Sequence, residues 1–326
     1  MKIIGIGNAL LDVLLRLESD NTLSEMGVKK GAMDLIDESK MKEIQKAQAG
    51  LQRTEVPGGS VCNTMRAMAR LGADVGYIGK IGSDYEGRFY EEETKKAGVK
   101  PFFVHTEGIS GCSTVLISPD GERTMATFLG LAATLSDEEI SDEVLMQYDC
   151  IYMEGYLIVN ESLFLPLLKR AKKLGLKVAL DLSNFNIVNG FKGLLKEVIP
   201  EYVDILFSNE SEAEAYTGLS ANEAIEVISK DVEISIVTIG KDGVLAKNND
   251  LLVHEKALDS KVIDTTGAGD NFAAGFLFGY SRGATLEQSA KIGSILSGNV
   301  IETIGAQISE DCWGKIKLKV DEILRK

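Results

Sequence analysis

A short glycine-containing segment near the C-terminus carries the residue types needed for phosphate chemistry. It reads Asp264-Thr265-Thr266-Gly267-Ala268-Gly269-Asp270 and precedes an apolar, helix-like run over residues 271–278. Glycines let bare backbone approach a ligand, and the unpaired N–H groups at a helix N-terminus attract anions. We therefore expect the backbone of Gly267, Ala268 and Gly269 to form an anion hole for a phosphate.

Asp270 lies in the same turn as these glycines. A carboxylate beside a bound polyphosphate can accept the proton of an alcohol that attacks phosphorus. Asp270 is therefore predicted to be the general base of a phosphoryl transfer. The alternative is that Asp270 only caps a helix and that the glycines only form a turn, which is common for an isolated segment of this kind.

Other phosphate-binding motifs are weak or absent. Gly5 and Gly7 follow a strand-like start, but Leu10 stands where a dinucleotide-binding loop needs its third glycine. None of the Gly-Lys pairs, at 79–80, 240–241 and 314–315, has the earlier glycine of a Walker A loop. The segment at 267–269 is thus the principal candidate for a phosphate site.

Composition excludes several classes of protein. The chain has 326 residues, of which 44% are hydrophobic, so it can bury a large core. Its net charge of −14 argues against a general binder of nucleic acid or anionic membranes, because such proteins meet phosphates with Lys and Arg. We expect a globular protein that binds small molecules and neither nucleic acid nor membrane.

Cysteine usage and the N-terminus indicate a reducing compartment. The four cysteines lie far apart without a C-x-x-C pair, which favours neither a disulfide framework nor a zinc site. The first apolar run is too short for a signal peptide, and no segment approaches the roughly 18 apolar residues of a membrane span. These features predict a cytoplasmic protein.

Short β-branched runs alternate with amphipathic segments, which is typical of strand-helix units around a parallel sheet. The predicted strands are 3–6, 75–78, 150–153, 177–180, 205–207 and 234–239. The predicted helices are 63–71, 163–174 and 210–216, with Gly72, Gly175 and Gly218 at their C-terminal caps. The core is therefore expected to be α/β.

Two segments, 12–38 and 99–130, depart from this alternation. Within the second, 112–118 and 123–127 flank Pro119-Asp120-Gly121-Glu122 and predict a β-hairpin. We therefore expect an inserted small sheet beside a core built from residues 1–11, 39–98 and 131–326.

Polar residues in the N-terminal half are suited to holding an alcohol. Asp12 follows the first strand, and Asn63 begins a helix after Gly58-Gly59. A carboxylate that accepts from two hydroxyls, together with an amide that both donates and accepts, would hold a sugar well. The alternatives are a turn aspartate and an asparagine near a helix start.

Together these segments resemble the signatures of the ribokinase family, also called the PfkB family of sugar and nucleoside kinases. The resemblance rests on Asp264–Asp270 and on Pro57–Asn63 with its continuation to Asp84, and it covers essentially the whole chain. It implies a three-layer α/β/α core with a mainly parallel central sheet and a small β-sheet lid. It also implies an ATP-dependent kinase.

Roles carried over from the family fall into three groups. Sugar contacts are implied for Asn8, Asp12, Gly58, Gly59 and Asn63, and Arg123 matches a position that faces the reacting end. ATP contacts are implied for Asn209, Glu212, Thr238, Gly240, Gly243, Asn299, Gly305 and Ala306. Glu212 would also hold Mg²⁺ through water, which suits a cation that keeps its hydration shell; Asp264 and Thr266 match ligands of a monovalent cation, usually K⁺.

Several segments resemble the adenosine kinase-like branch more than ribokinase or fructokinase. They are Gly5–Leu10, Glu154–Leu157 and Asp181–Phe185. In that branch Tyr156 and Phe185 would contact the base, although a buried aromatic residue is more often plain core. The best substrate prediction is adenosine, converted to AMP; the alternatives are a ribokinase- or fructokinase-like sugar kinase and a non-catalytic sensor. The resemblance also implies that two lids can pair in a homodimer.

Overall fold

The computed structural model describes residues 1–48, 52–249 and 251–325, which form two β-sheets and the helices around them. The strands are β1 (Ile3–Ile6), β2 (Leu10–Arg16), β3 (Met33–Leu35), β4 (Arg53–Pro57), β5 (Val75–Gly82), β6 (Lys100–Thr106), β7 (Gly111–Ile117), β8 (Arg123–Phe128), β9 (Cys150–Glu154), β10 (Lys177–Asp181), β11 (Ile205–Asn209), β12 (Ile234–Thr238), β13 (Val244–Asn248) and β14 (Leu251–Glu255).

The helices follow the strands as crossovers or pack beside them. They are α1 (Asn21–Glu25), α2 (Glu38–Ala47), α3 (Ser60–Arg70), α4 (Tyr85–Lys96), α5 (Asp142–Leu145), α6 (Phe164–Lys173), α7 (Phe185–Gly190), α8 (Lys192–Tyr202), α9 (Glu210–Thr217), α10 (Ala221–Ile228), α11 (Ala268–Ser281), α12 (Leu286–Val300) and α13 (Trp313–Leu324). In the described part of the chain, no helix combines the length and the hydropathy that crossing a membrane requires.

The large sheet has nine strands in the order β14-β13-β12-β11-β10-β9-β1-β5-β6. Pairing is parallel from β12 to β6, and β13 and β14 add an antiparallel edge. One face packs against α3, α11, α12 and α13, and the other against α6, α8, α9 and α10. This is the three-layer α/β/α core that was predicted, and its six predicted strands are confirmed. Burial on both faces explains why those strands read as continuous apolar runs.

The predicted helices and their caps are also confirmed in α3, α6 and α9. Gly72, Gly175 and Gly218 follow these helices with φ of 90°, 76° and 82°, respectively. Glycine adopts this left-handed conformation without the steric cost of a Cβ atom, so it ends a helix readily.

The small sheet has five strands in the order β3-β8-β7-β2-β4. The predicted hairpin is confirmed as β7 and β8, which pair antiparallel. Side chains alternate across this sheet: one face, including Leu11 and Leu15, packs on Leu23 of α1 and Ile44 of α2. The opposite face carries Asp12 and Arg123 and is turned toward the α/β/α unit, where Arg123 contacts Thr266.

The strand assignments differ from the predicted segment boundaries in two places. Strand β4, inside the segment 39–98 assigned to the core, pairs antiparallel with β2 of the small sheet. Strand β6, inside the segment 99–130 assigned to the insertion, pairs parallel with β5 of the large sheet, because it completes an ordinary β5-α4-β6 crossover. Residues 49–51 of the segment 39–98 lie outside the described residues.

Candidate active site

Polar residues collect where the parallel strands of the large sheet end. Glu154, Asp181, Asn209 and Thr238 are the last residues of four adjacent strands, β9 to β12, and Asn8 lies just beyond β1. In open α/β sheets, ligands bind outside the carboxyl ends of the strands. This edge, together with the N-terminus of α11, therefore forms the candidate active site.

The predicted phosphate loop, residues 267–269, requires a glycine at its first position. Gly267 has φ of 73°, and a Cβ atom there would lie 2.5 Å from Ala306 Cβ. Asn271 Nδ2 donates to Gly267 O at 2.9 Å and to Ala306 O at 3.0 Å, which fixes the loop against the C-terminal segment. A Cβ atom on Gly269 would meet no atom within 4 Å, so open space adjoins this backbone. Ala268 N donates to Thr265 O at 3.2 Å, whereas Gly269 N and Asp270 N have no backbone acceptor among the described residues. These two N–H groups at the start of α11 can therefore donate to an anion.

Asp270 is partly buried beside this loop and is held by α3. Its carboxylate accepts from Ser60 Oγ at 2.7 Å and from Asn63 Nδ2 at 2.9 Å, and its main-chain oxygen accepts from Thr64 Oγ1 at 3.1 Å. Burial raises the pKa of Asp270, while the bonds from Ser60 and Asn63 lower it. Asn63, predicted to bind sugar, therefore contacts the predicted base. Ser60 and Thr64 were not predicted, since nothing local in the sequence reveals a contact with a residue more than 200 positions away.

The predicted sugar-binding residues Asn8, Asp12, Gly58 and Gly59 are brought together. A Cβ atom on Gly58 would lie 2.2 Å from Asp12 Cγ, and Gly59 has φ of 86° with Asn8 O 2.5 Å from its Cβ position. Both glycines are therefore required by close approach. Burial raises the pKa of Asp12 to about 7, and the charge of Asp270 adds to this rise. The nearby guanidinium groups of Arg123 and Arg66 oppose it.

Glu154 belongs to this site although it was not predicted as a functional residue. One carboxylate oxygen accepts from Asn8 N at 2.9 Å and Asn8 Nδ2 at 2.7 Å, and the other from Val61 N at 3.4 Å. Burial raises the pKa of Glu154 to about 7, against the effect of these hydrogen bonds. Glu154 thus fixes Asn8 and the start of α3. The sequence signals for it were an acidic residue ending an apolar strand and its place in the segment Glu154–Leu157, neither of which assigned it a role.

Arg123 links the small sheet to the phosphate loop. Its Nη1 donates to Thr266 Oγ1 at 2.5 Å, and its Nη2 forms an ion pair with Asp264. The Asp264 carboxylate also accepts from Thr266 N at 3.0 Å and from Gly305 N at 2.7 Å. The side-chain oxygens of both predicted cation ligands are therefore engaged by a guanidinium.

Asn209 and Glu212 form a capping box at the start of α9. Asn209 Nδ2 donates to Glu212 Oε1 at 2.7 Å, and Glu212 N donates to Asn209 Oδ1 at 2.9 Å. Burial raises the pKa of Glu212 to about 7, and burial together with the charge of Glu212 raises that of Asp181. Two neighbouring buried carboxylates fit a nearby cation. In the described ranges, no group of three or more His, Cys, Asp or Glu residues could hold a metal ion.

Of the remaining predicted nucleotide residues, Thr238, Gly240 and Gly243 lie at or just beyond the end of β12. Thr238 pairs in register with Asn209, and Gly240 follows it with φ of 58°. A Cβ atom on Gly243 would lie 2.0 Å from Glu255 O, so this turn also requires glycine. Asn299 donates to Ile295 O within its own helix.

The two predicted base-contacting aromatics differ in environment. Tyr156 is half-buried after β9, and its hydroxyl donates to Ser183 O at 3.4 Å. Phe185 begins α7 and is 47% exposed. They lie near the ends of neighbouring strands, β9 and β10.

An apolar cleft beside the small sheet was not predicted. It has a volume of about 440 Å³. Its apolar lining includes Leu35, Ile36, Ile109, Phe128, Leu129 and Leu131. Scattered apolar residues on strand ends and loops carry no periodic signal, and only the fold brings them together.

The cleft lies in line with Asp12 across the small sheet. Asp12, Ser113, Thr127 and Leu35 occupy one row of paired residues on β2, β7, β8 and β3. Ser113 Oγ and Thr127 Oγ1 are hydrogen-bonded at 2.8 Å, which places them on the same face. Because paired strands lie 4.7–4.9 Å apart, the cleft begins about 10 Å from Asp12.

Comparison with known proteins agrees with this architecture. A model of the pfkB family of carbohydrate kinases matches residues 29–312. An uncharacterized sugar kinase of Archaeoglobus fulgidus is 32% identical over 74% of this chain and 96% of its own length. Adenosine kinase of Saccharomyces cerevisiae is 29% identical over 92% of this chain and 94% of that protein. The crystal structure of adenosine kinase from Sinorhizobium meliloti has a TM-score of 0.86 and 30% identity, covering 98% of this chain and 99% of that one.

These similarities extend over both sheets and the phosphate loop. Nucleoside or sugar phosphorylation with ATP, typically assisted by Mg²⁺, is the activity that they support. The chain belongs to the pfkB family of carbohydrate kinases, in its adenosine kinase-like branch, and is an ATP-dependent kinase.

Proposed function

We propose that this kinase phosphorylates the primary hydroxyl of a nucleoside, with adenosine converted to AMP. The observation that carries the proposal is the apolar cleft in line with Asp12. A ribose held at Asp12 would direct its base along this row, where apolar side chains favour an aromatic ring. A free sugar would leave the cleft unfilled. Stacking of the base on Tyr156 and Phe185, near the ends of β9 and β10, stays the alternative prediction for its position.

In the proposed reaction, Asp12, Asn8 and the Gly58–Gly59 backbone bind the ribose hydroxyls. Asn63 and Ser60 orient the Asp270 carboxylate, which accepts the proton as the primary hydroxyl attacks the γ-phosphorus of ATP. The N–H groups at the start of α11 stabilise the negative charge that develops on the transferred phosphoryl group. Closure of the small sheet over the core would exclude water.

The cation sites differ in how well they fit. Mg²⁺, when bound with ATP, neutralises phosphate charge; Glu212, oriented by Asn209, would hold it through water. For K⁺ the fit is poor, because the side-chain oxygens of Asp264 and Thr266 already contact Arg123. Arg123 itself supplies positive charge there. Homodimerisation through the small sheet stays a prediction.

A sugar kinase is the second candidate. The hydroxyl-binding residues around Asp12 suit a free sugar as well as a nucleoside, and the Archaeoglobus fulgidus relative is described as a sugar kinase. A sensor that binds without turnover is the third. The pairing of Asp270 with an intact anion hole supports catalysis over sensing.

The test is an ADP-release screen of nucleosides and free sugars, run with Mg²⁺ and with either K⁺ or choline as the monovalent cation. Turnover of adenosine without turnover of ribose or fructose supports the proposal. Turnover of a free sugar alone contradicts it, and binding without ADP release favours the sensor.

A matched pair of variants then tests the cleft. Leu35 lies in the cleft and is 73% exposed, and Leu318 on α13 is 67% exposed. Leu35→Gln is expected to raise the KM for adenosine about fivefold or more and to leave that for ATP unchanged, because it places a polar group beside the base. Leu318→Gln is the control. Equal KM values for adenosine in the two variants would contradict a base in this cleft.

A further inference from the structure

We propose that Arg66 is a positioning residue that ties the acceptor turn at Pro57–Gly59 to the C-terminal segment Gly305–Gln307, against which the phosphate loop packs. The inference rests on the proposed acceptor site at Asp12. In this role Arg66 touches neither substrate, but its contacts set the distance between the acceptor site and the phosphate loop.

One guanidinium contacts both segments. Arg66 lies on α3, and its Nη1 donates to Pro57 O at 3.0 Å, immediately before the glycine pair. The Gln307 amide is complementary to its neighbours only when its oxygen faces the guanidinium, and we assign it that way; the oxygen then accepts from Nη1 at 2.5 Å and from Nη2 at 3.2 Å. The planar, rigid group of donors in arginine suits such a double contact, and lysine lacks it.

The C-terminal segment is in turn part of the phosphate loop's support. Ala306 fills the space where Gly267 would carry a Cβ atom, and Ala306 O accepts from Asn271. Gly305 N donates to Asp264. A shift of Gln307 would therefore displace the residues that hold the loop in place.

The same face of α3 reaches the general base. Asn63 precedes Arg66 by one helical turn and donates to Asp270. A polar cavity of about 40 Å³ lies behind this contact, lined by Asn63, Arg66, Asn271, Ala306 and Gln307 among others. Arg66 Nε is buried there without a hydrogen-bond partner in the described part of the chain, and the cavity has room for a water. Arg66 is thus at the junction of both loops and the base.

Arg66 also acts on Asp12 through its charge. Burial and the charge of Asp270 raise the pKa of Asp12, and Arg123 and Arg66 lower it. Removal of the Arg66 charge should raise this pKa further. Since Asp12 accepts hydroxyls best when ionised, the acid limb of the pH profile would then move to higher pH. Loss of packing alone would not move it.

The experiment is a double-mutant cycle on Arg66→Met and Gln307→Leu, with whichever acceptor the wild-type enzyme phosphorylates. The cycle therefore tests the role of Arg66 even if the enzyme does not phosphorylate adenosine. Each single variant should lower kcat/KM for the acceptor about 10- to 100-fold, and the double variant should be within about threefold of the worse single variant. Arg70→Met is the control, because Arg70 lies one turn further on α3 in an exposed pair with Glu310; we expect less than a threefold change.

The pH profile separates positioning from packing. The acid limb should move to higher pH in Arg66→Met and stay in place in Gln307→Leu and Arg66→Lys, although Arg66→Lys should still lose kcat/KM. Three outcomes would each overturn the proposal. They are multiplicative losses of kcat/KM in the double variant, a loss in Arg66→Met no larger than that in Arg70→Met, and an acid limb of the pH profile that does not move in Arg66→Met. If Arg66→Met does not fold, Arg66→Lys replaces it in the cycle and full activity of that variant overturns the proposal.

Discussion

A base that takes a proton from an alcohol must be ionised, whereas burial favours its neutral form. Asp270 is partly buried, and its removal from water raises its pKa. Donors from Ser60 and Asn63 to its two oxygens offset part of the rise. The two donors thus favour the ionised carboxylate against the effect of burial, and a general base must be ionised to accept a proton.

Replacement of the carboxylate tests this role. Asp270→Asn removes the proton acceptor but keeps the size of the side chain. We expect kcat to fall about 10²- to 10⁴-fold with little change in ATP affinity. Steady-state kinetics and ATP titration measure the two quantities.

Ser60→Ala is the matched control for that variant. It keeps the carboxylate and removes one of its donors, so kcat should fall far less than in Asp270→Asn. Near-normal turnover in Asp270→Asn would remove Asp270 from the role of base.

At the scale of elements, the two glycines at the start of α11 are needed for different physical reasons. Gly267 has a positive φ and touches Ala306, so Gly267→Ala should lower the melting temperature and activity together. Gly269 faces open space, so Gly269→Ala should keep the wild-type melting temperature and raise the KM for ATP at least tenfold by obstructing the phosphate. Thermal melts and ATP kinetics of the two variants check this. An unchanged KM for ATP in Gly269→Ala would place the phosphate elsewhere.

Elements were predictable where the signal is local. Apolar β-branched runs predicted the central strands, and Gly72, Gly175 and Gly218 predicted helix ends, because periodicity and left-handed backbone are properties of a few adjacent residues. The partners of β4 and β6 were not predictable in this way. Strand pairing joins segments distant in the chain, and β4 is short, polar and largely exposed. For the same reason Asp270 could be proposed from its own turn, whereas the contacts of Ser60 and Glu154 could not be predicted.

At the scale of the whole molecule, the ligand-free protein buries several carboxylates between its two sheets and its phosphate loop. Burial raises the pKa of Asp12, Glu154 and Glu212 to about 7 each. In the unfolded chain these groups would have ordinary carboxyl pKa values and lose their protons at lower pH. Between these values the folded state holds more protons than the unfolded one, so the free energy of unfolding falls as pH rises.

The melting temperature of the ligand-free enzyme should therefore drop by about 5 °C between pH 5.5 and pH 8, a window above the pKa of ordinary carboxyls. Glu154→Gln removes one contributing group while keeping a side chain that can still accept from Asn8, so its drop should be smaller by about 2 °C. Glu197→Gln, on the exposed surface of α8, is the control and should keep the full drop. Differential scanning fluorimetry across this range measures all three proteins. A melting temperature that rises toward pH 8, or the same drop in Glu154→Gln as in the control, would mean that these carboxylates are already ionised in the folded enzyme.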